Sequence, residues 1–180
     1  MRRAVFLDRD GVINKKAPPH RYILNWKEFE FLPYVAEAIA DLNQRNFLVV
    51  VVSNQRGIAR GMLSVEKLEE IHSRMLRALF RLGAKVDGVY YCPHDYCDNC
   101  NCRKPKPGML LEAASDLGID LSRSFMVGDS EDDILAGNSA GCSTVLVLTG
   151  ETKDIAETVR WQMKPDHIIS RLDELRGVVC

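Results

Sequence analysis

The sequence predicts a three-layer α/β domain, with a mostly parallel sheet and helices on both faces. Three observations carry that prediction. Short apolar runs recur along the chain, each ending in a polar turn, and suit strands buried on both faces. Segments of helical periodicity fill the gaps between them. Strands alternating with helices call for right-handed crossovers, which build a parallel sheet.

The elements follow in order. Residues 4–7 (AVFL) form a first strand that ends at Asp8. Pro33 can open a helix at its first turn, with Val35, Ala38, Ile39 and Leu42 on one face. Residues 47–52 (FLVVVV) are dominated by β-branched side chains and read as the second strand. Ser64 is placed to cap a helix with Leu68, Ile71, Met75, Leu79 and Leu82 on one face, ended by Gly83. Residues 86–91, 124–127 and 144–148 are further strands, with a short last one at 167–169. Residues 107–117 and 130–140 are helical in pattern and stop at Gly118 and Gly141. No repeat, linker or low-complexity tract interrupts the pattern, so residues 1–180 read as one domain.

Twenty-four Lys and Arg against 25 Asp and Glu leave a net charge of -1. That balance disfavours a nucleic-acid partner, which needs a basic excess to neutralise phosphates. With 46% hydrophobic and 27% charged residues the chain is globular rather than disordered. No apolar run is long enough to span a membrane, and the first residues do not resemble a secretory signal. A cytoplasmic location follows as the expectation, and with it reduced thiols. Four of the six cysteines, Cys92, Cys97, Cys100 and Cys102, are then better explained by a metal than by disulfides. Cys142 reads as a small buried residue and Cys180 as a tail residue.

Ligands of such sheets bind outside the carboxyl ends of the strands. Asp8-Arg9-Asp10-Gly11 follows the first strand, Ser53-Asn54-Gln55 the second, and Gly128-Asp129-Ser130 a later one. Paired carboxylates in a glycine turn suit Mg²⁺, a hard cation that takes one or two carboxylates and substrate phosphate. Asp129 adds a third acid that can converge on the same ion. Asp133 completes Ser130-x-x-Asp133, a capping box for the helix that follows.

FLDRDGVIN, VVSNQ, RKPKPG and VGDSEDD, in that order, resemble the four motifs of the haloacid dehalogenase superfamily. The resemblance implies a Rossmann-like fold over the whole chain and a Mg²⁺-dependent phosphatase with an aspartate nucleophile. It implies that Asp8 is the nucleophile and Asp10 the general acid and base. Asp8, the backbone carbonyl of Asp10 and Asp129 are the expected Mg²⁺ ligands, with Asp133 in support. Ser53 and Lys104 are expected to bind the phosphoryl group, with Lys106 a solvated neighbour. Asn54, Gln55, Arg56, Arg60 and Arg103 are expected to contact substrate, Arg60 from a mobile turn between Gly57 and Gly61.

The segment 92–102 holds five soft ligands, Cys92, His94, Cys97, Cys100 and Cys102. Cysteine with histidine favours zinc, and by spacing alone Cys97-x-x-Cys100 is a familiar pair. Cys92-x-His94 with Cys100-x-Cys102 before Arg-Lys-Pro instead resembles the zinc loop of one superfamily branch. That branch contains heptose bisphosphate and histidinol-phosphate phosphatases. The resemblance implies a structural Zn²⁺ on Cys92, His94, Cys100 and Cys102, with Cys97 spare.

Intervals between the motifs leave no room for a cap domain, so an open site is expected. FLDRDGVIN resembles the heptose branch, which implies removal of the 7-phosphate from a heptose 1,7-bisphosphate, and a monomer is the expected state. Histidinol-phosphate hydrolysis is the alternative within the branch. A non-catalytic metal-binding module on this fold is the alternative of another class, and a polynucleotide 3′-phosphatase is disfavoured by the charge balance.

Overall fold

The computed structural model describes residues 1–179; Cys180 lies outside them. Six parallel strands run β1 (Ala4–Leu7), β2 (Leu48–Asn54), β3 (Gly88–Cys92), β4 (Phe125–Gly128), β5 (Ser143–Val147) and β6 (His167–Ile169). Their order across the sheet is β3-β2-β1-β4-β5-β6. The chain winds outward from β1 to β3, then crosses back to β4 on the other side of β1. The switch point between β1 and β4 opens a crevice at the carboxyl ends of these strands.

Period-two alternation sorts the side chains onto two faces. Val5, Leu7, Val49, Val51 and Val127 face a layer made by α1 (Val35–Gln44) and α2 (Val65–Arg81). Ala4, Phe6, Val50, Val52 and Met126 face α3 (Gly108–Leu117), with Ala136 of α4 (Glu131–Ala140) in the same cluster. Both faces are dry, which is why the central strands read as continuous apolar runs.

The caps follow the sequence closely. The Ser64 hydroxyl accepts from the Lys67 N–H at 3.3 Å. Gly83, Gly118 and Gly141 all sit at positive φ where helices end. Pro33 is a departure: α1 begins at Val35, and Tyr34 between them is left-handed with φ 65°. The turn takes up the direction change before the helix starts, and the Tyr34 ring packs under the Arg171 guanidinium. The tail holds two 3-10 segments, Ile155–Arg160 and Leu172–Gly177, both too short to show a helical period. Leu172, Leu175 and Val179 seal the α1 layer. Among the described residues no helix is long and apolar enough to cross a membrane.

Candidate active site and metal loop

Register places the chemistry. Leu7 pairs with Val51 on one side and Val127 on the other, so Asp8, Ser53 and Asp129 emerge together at the sheet's carboxyl edge. Oxygens of Asp8, Asp129 and Asp133 lie within 4.8 Å of one another. Lys104 reaches in from the segment before α3. Its ammonium lies 2.9 Å from Asp8 Oδ1 and 2.6 Å from Asp133 Oδ1, and donates to the Val52 carbonyl at 2.9 Å. All four side chains are buried.

Three acids in so dry a place carry more negative charge than Lys104 balances. Burial pushes the Asp8 carboxyl up to about 6, against the pull of Lys104. Burial, then the charges of Asp8 and Asp133, push Asp129 up to about 8. Burial opposes the ionisation of Asp133 as well, but Lys104 outweighs it and holds that group below the ordinary range. Asp129 Oδ1 is buried and has no hydrogen-bond partner. Its Oδ2 accepts from the Glu151 N–H at 2.6 Å and meets the Lys16 ammonium at 3.1 Å. A hard divalent cation fits this donor set: it supplies the missing positive charge and occupies the orphaned oxygen.

The Asp10 carboxylate is not in this cluster. It is clamped by Arg9 Nη2 on both oxygens at 2.9 Å, by Asn14 Nδ2 at 2.9 Å and by Gln55 Nε2 at 2.9 Å. Burial opposes its charge, but the Arg9 guanidinium and the hydrogen bonds from Arg9, Asn14 and Gln55 together outweigh it and keep the group below the usual carboxylate range. Gln55 also donates to Ser53 Oγ at 2.7 Å, which leaves the Ser53 proton to be donated elsewhere. Asn54 exchanges two 3.1 Å bonds with the Lys104 backbone. It ties the end of β2 to the lysine's loop.

The cysteine segment closes on itself beside this centre. Cys92 Sγ lies 3.0 Å from Cys102 Sγ and 3.6 Å from Cys100 Sγ. His94 Nδ1 lies 3.3 Å from Cys102 Sγ. One donor atom from each of the four lies within 4.8 Å of the rest, while Cys97 is exposed and outside the group. Three sulfurs and one imidazole nitrogen, collected this tightly and with no fifth ligand among the described residues, suit a closed tetrahedral zinc site. Against the upward push of burial, hydrogen bonds from the Arg103 backbone N–H and from Cys102 and Cys92 together bring the Cys100 thiol down to about 7.

An open cleft of about 360 Å³ lies over the carboxylates, walled by the loop from Lys16 to Ile23 and by Arg56, Tyr96 and Arg103. Tyr96 stands on the metal loop with the Arg103 guanidinium 4.1 Å from its ring centre and that of Arg56 4.9 Å away. Arg56 also donates to the Tyr22 hydroxyl at 3.1 Å. Arg103 donates to the His94 carbonyl at 3.2 Å, and its Nε is buried with no partner. Arg60 bonds Asp95 at 2.8 Å and does not line the cleft. Its turn is pinned to the metal loop, where Ala59 N–H donates to the Pro93 carbonyl at 3.1 Å.

Several participants left no trace in the motifs: Lys16 and Glu151 beside Asp129, Tyr96 on the cleft wall, and His72 behind Arg9. Only the folded chain brings them in. The segment after β5 is the clearest case. Thr149 Oγ1 donates to the Gly11 carbonyl at 2.6 Å, and Gly150 lies against Asp129. A Cβ on Gly150 would sit 2.0 Å from Asp129 Oδ2, and one on Gly11 2.2 Å from the same oxygen. Two glycines after two strands are the signal that could have found this contact.

A family model described as HAD-hydrolase-like matches residues 101–175. The D-glycero-beta-D-manno-heptose-1,7-bisphosphate 7-phosphatase of Haemophilus ducreyi is 40% identical over 182 residues, covering 97% of this chain and 96% of that protein. The protein of the same name from Pasteurella multocida is 45% identical over 158 residues, 84% of each chain. Among solved structures, the D,D-heptose 1,7-bisphosphate phosphatase of B. bronchiseptica, complexed with magnesium and phosphate, superposes with a TM-score of 0.90. It is 35% identical and the match covers 98% of this chain and 97% of that one.

The crowding around Asp129 makes a stability prediction. Gly150→Ala forces a methyl group against a buried carboxylate and should cost about 1–3 kcal/mol. Gly177→Ala, where a Cβ meets nothing within 4 Å, should change stability by less than about 0.5 kcal/mol. Urea denaturation of the two variants checks the contrast; equal midpoints would mean that Gly150 is not constrained.

Proposed function

The chain belongs to the heptose 1,7-bisphosphate 7-phosphatase family of the haloacid dehalogenase superfamily, and we propose that it hydrolyses the 7-phosphate of D-glycero-D-manno-heptose 1,7-bisphosphate through an aspartyl-phosphate on Asp8. The observation that carries the reading is the buried set Asp8, Asp129 and Asp133 around Lys104 at the floor of an open cleft with Arg56 and Arg103 on its wall. Asp8, Asp129 and the Asp10 carbonyl are the groups we assign to Mg²⁺, with the Asp133 carboxylate beside them. The ion, when bound, neutralises the phosphoryl oxygens that would repel an anionic nucleophile.

Asp8 attacks phosphorus while the bond to the C7 oxygen breaks. Lys104 stabilises charge on the phosphoryl oxygens, and the Ser53 hydroxyl donates to one of them. Asp10, ionised in the free site, takes up a proton as the anionic phosphate enters beside it and passes that proton to the departing oxygen. In the second half Asp10 takes a proton from the attacking water. Phosphate leaves and Asp8 is restored. Gln55 and Asn54 act here by aiming Asp10, Ser53 and the lysine's loop.

An uncapped cleft must gain discrimination from a second charged group on the substrate. Arg103, with its unpartnered Nε, and Arg56 are placed for the phosphate at C1, and Arg60 holds Asp95 and hence the loop beneath them. Zn²⁺ on Cys92, His94, Cys100 and Cys102 keeps that loop, with Tyr96 and Arg103, in position. Thiols kept available to zinc fit a reducing cytoplasm. We assign the activity to residues 1–180 as one domain, with the sugar bisphosphate as partner and a monomer as the working unit.

Two predictions follow from this assignment. In side-by-side kcat/KM measurements the heptose bisphosphate should exceed histidinol phosphate, whose ammonium the arginines repel. Asp8→Asn should abolish turnover of both. Arg103→Ala should narrow the preference for bisphosphate over monophosphate by roughly 10- to 150-fold, the worth of one charge-assisted contact. A preference for histidinol phosphate would overturn the substrate, and turnover retained by Asp8→Asn would overturn the nucleophile. For the second metal, elemental analysis should find one zinc per chain, unchanged in Cys97→Ser and lowered in Cys100→Ser; the reverse pattern would identify a different ligand set.

A further inference from the structure

Between the two aspartates of the first motif lies Arg9, whose side chain points into the protein. It is 0% exposed and heads the largest fully buried side chains of the chain. A buried guanidinium is costly unless every donor is used. Nε and Nη2 go to Asp10, at 3.3 Å and 2.9 Å. Nη1 goes to His72 Nε2, at 3.2 Å. Arginine has no acceptor, so His72 Nε2 is the accepting nitrogen and the proton sits on Nδ1. Burial, with the Arg9 charge beside it, pushes the His72 imidazole down to about 3, so the ring is neutral and able to accept.

His72 is itself fixed. It lies on the buried face of α2 among Leu68, Ile71 and Met75, with its ring 5.7 Å from that of Tyr91 on β3. The guanidinium plane is thus gripped at both edges, by an imidazole anchored in the core and by the carboxylate it serves. Asn14 and Gln55 each hold one oxygen of Asp10, but only Arg9 touches both. Orientation of the carboxylate plane therefore depends on the orientation of the guanidinium plane.

We propose that Arg9 and His72 are positioning residues for the acid–base steps: the imidazole sets the plane of the guanidinium, and that plane aims the Asp10 carboxyl at the leaving oxygen. In the first step the C7–O–P bond breaks on the phosphorus side, the phosphoryl group passes to Asp8, and the proton that Asp10 took up when the anionic substrate bound goes to the sugar oxygen. In the second, Asp10 takes a proton from water as the hydroxyl joins phosphorus. Neither Arg9 nor His72 exchanges a proton. This inference rests on the phosphatase reading above.

The test exploits the leaving group. A sugar alkoxide needs a proton to depart, whereas 4-nitrophenolate leaves without one. The parameter kcat/KM reports the steps up to departure of the alcohol, and so isolates this first transfer. His72→Leu strips Nη1 of its acceptor; it should lower kcat/KM for the heptose bisphosphate by about 10- to 100-fold and for 4-nitrophenyl phosphate by less than about 3-fold. His72→Gln, which returns an oxygen near the Nε2 position, should recover most of the loss on the sugar. His72→Asn, polar but too short to reach Nη1, should show the same selective loss and keeps the test available if the leucine variant does not fold. Equal losses on both esters, or no rescue by glutamine, would make the pair merely structural and overturn the inference while leaving the phosphatase reading intact. Wild-type protein that hydrolyses neither ester would overturn that reading, and this inference with it.

Discussion

The ammonium of Lys104 is the charge on which the rest of this molecule depends. It is buried, and its three donors end on Asp8, Asp133 and the Val52 carbonyl. Without it, two carboxylates would be uncompensated in a region of low dielectric, at a cost of several kcal/mol each. With it, three buried acids still face one buried lysine and the half-buried Lys16, which Asp129 shares with Glu151, and the remaining imbalance appears in Asp8 and Asp129, both held above the ordinary carboxylate range by burial. The same deficit of positive charge that makes the unliganded site electrostatically incomplete suits it to a divalent cation.

Such a lysine has to be delivered accurately, and much of the surrounding structure does that. Asn54 grips its backbone from the end of β2. The cysteine and histidine segment stands immediately before it, and the Cys92 carbonyl takes the Gln55 N–H at 2.8 Å. The turn after β2, the cysteine and histidine loop and the lysine are therefore one connected unit. Tyr96, between two arginines, extends the unit to the cleft wall. A structural metal in that loop would stiffen the floor and the wall of the cleft together.

The fold was largely legible because its signals are local. Four apolar residues before Asp8 can be only a strand at that length, and Ser64, Gly118 and Gly141 mark helix ends by their own backbone chemistry. Asp8 and Asp129 were legible because each directly follows a strand, and Asp133 because it completes a capping box, whereas Lys104 stood out only through the resemblance of RKPKPG to a family motif. Pro33 misled because the left-handed turn at Tyr34 intervenes before α1. Arg60 read as a free cation on a glycine-flanked turn, yet Asp95, 35 positions away, pairs with it. Lys16, Glu151, Gly150 and His72 were invisible for the same reason. Their partners are set by the crossover topology, and no spacing along the chain encodes which residue of α2 will lie behind Arg9.

The central claim, that the buried carboxylates form a cation site completed by Mg²⁺, is tested most directly by thermal denaturation with and without the ion. Binding to the folded state alone stabilises by mass action, about 2.7 kcal/mol at one hundred times Kd. In a chain this size that is roughly 5–10 °C. Wild-type protein should show such a rise on adding Mg²⁺, and Asp129→Asn should show little or none. Equal responses of the two proteins, or no response of the wild type, would contradict the account.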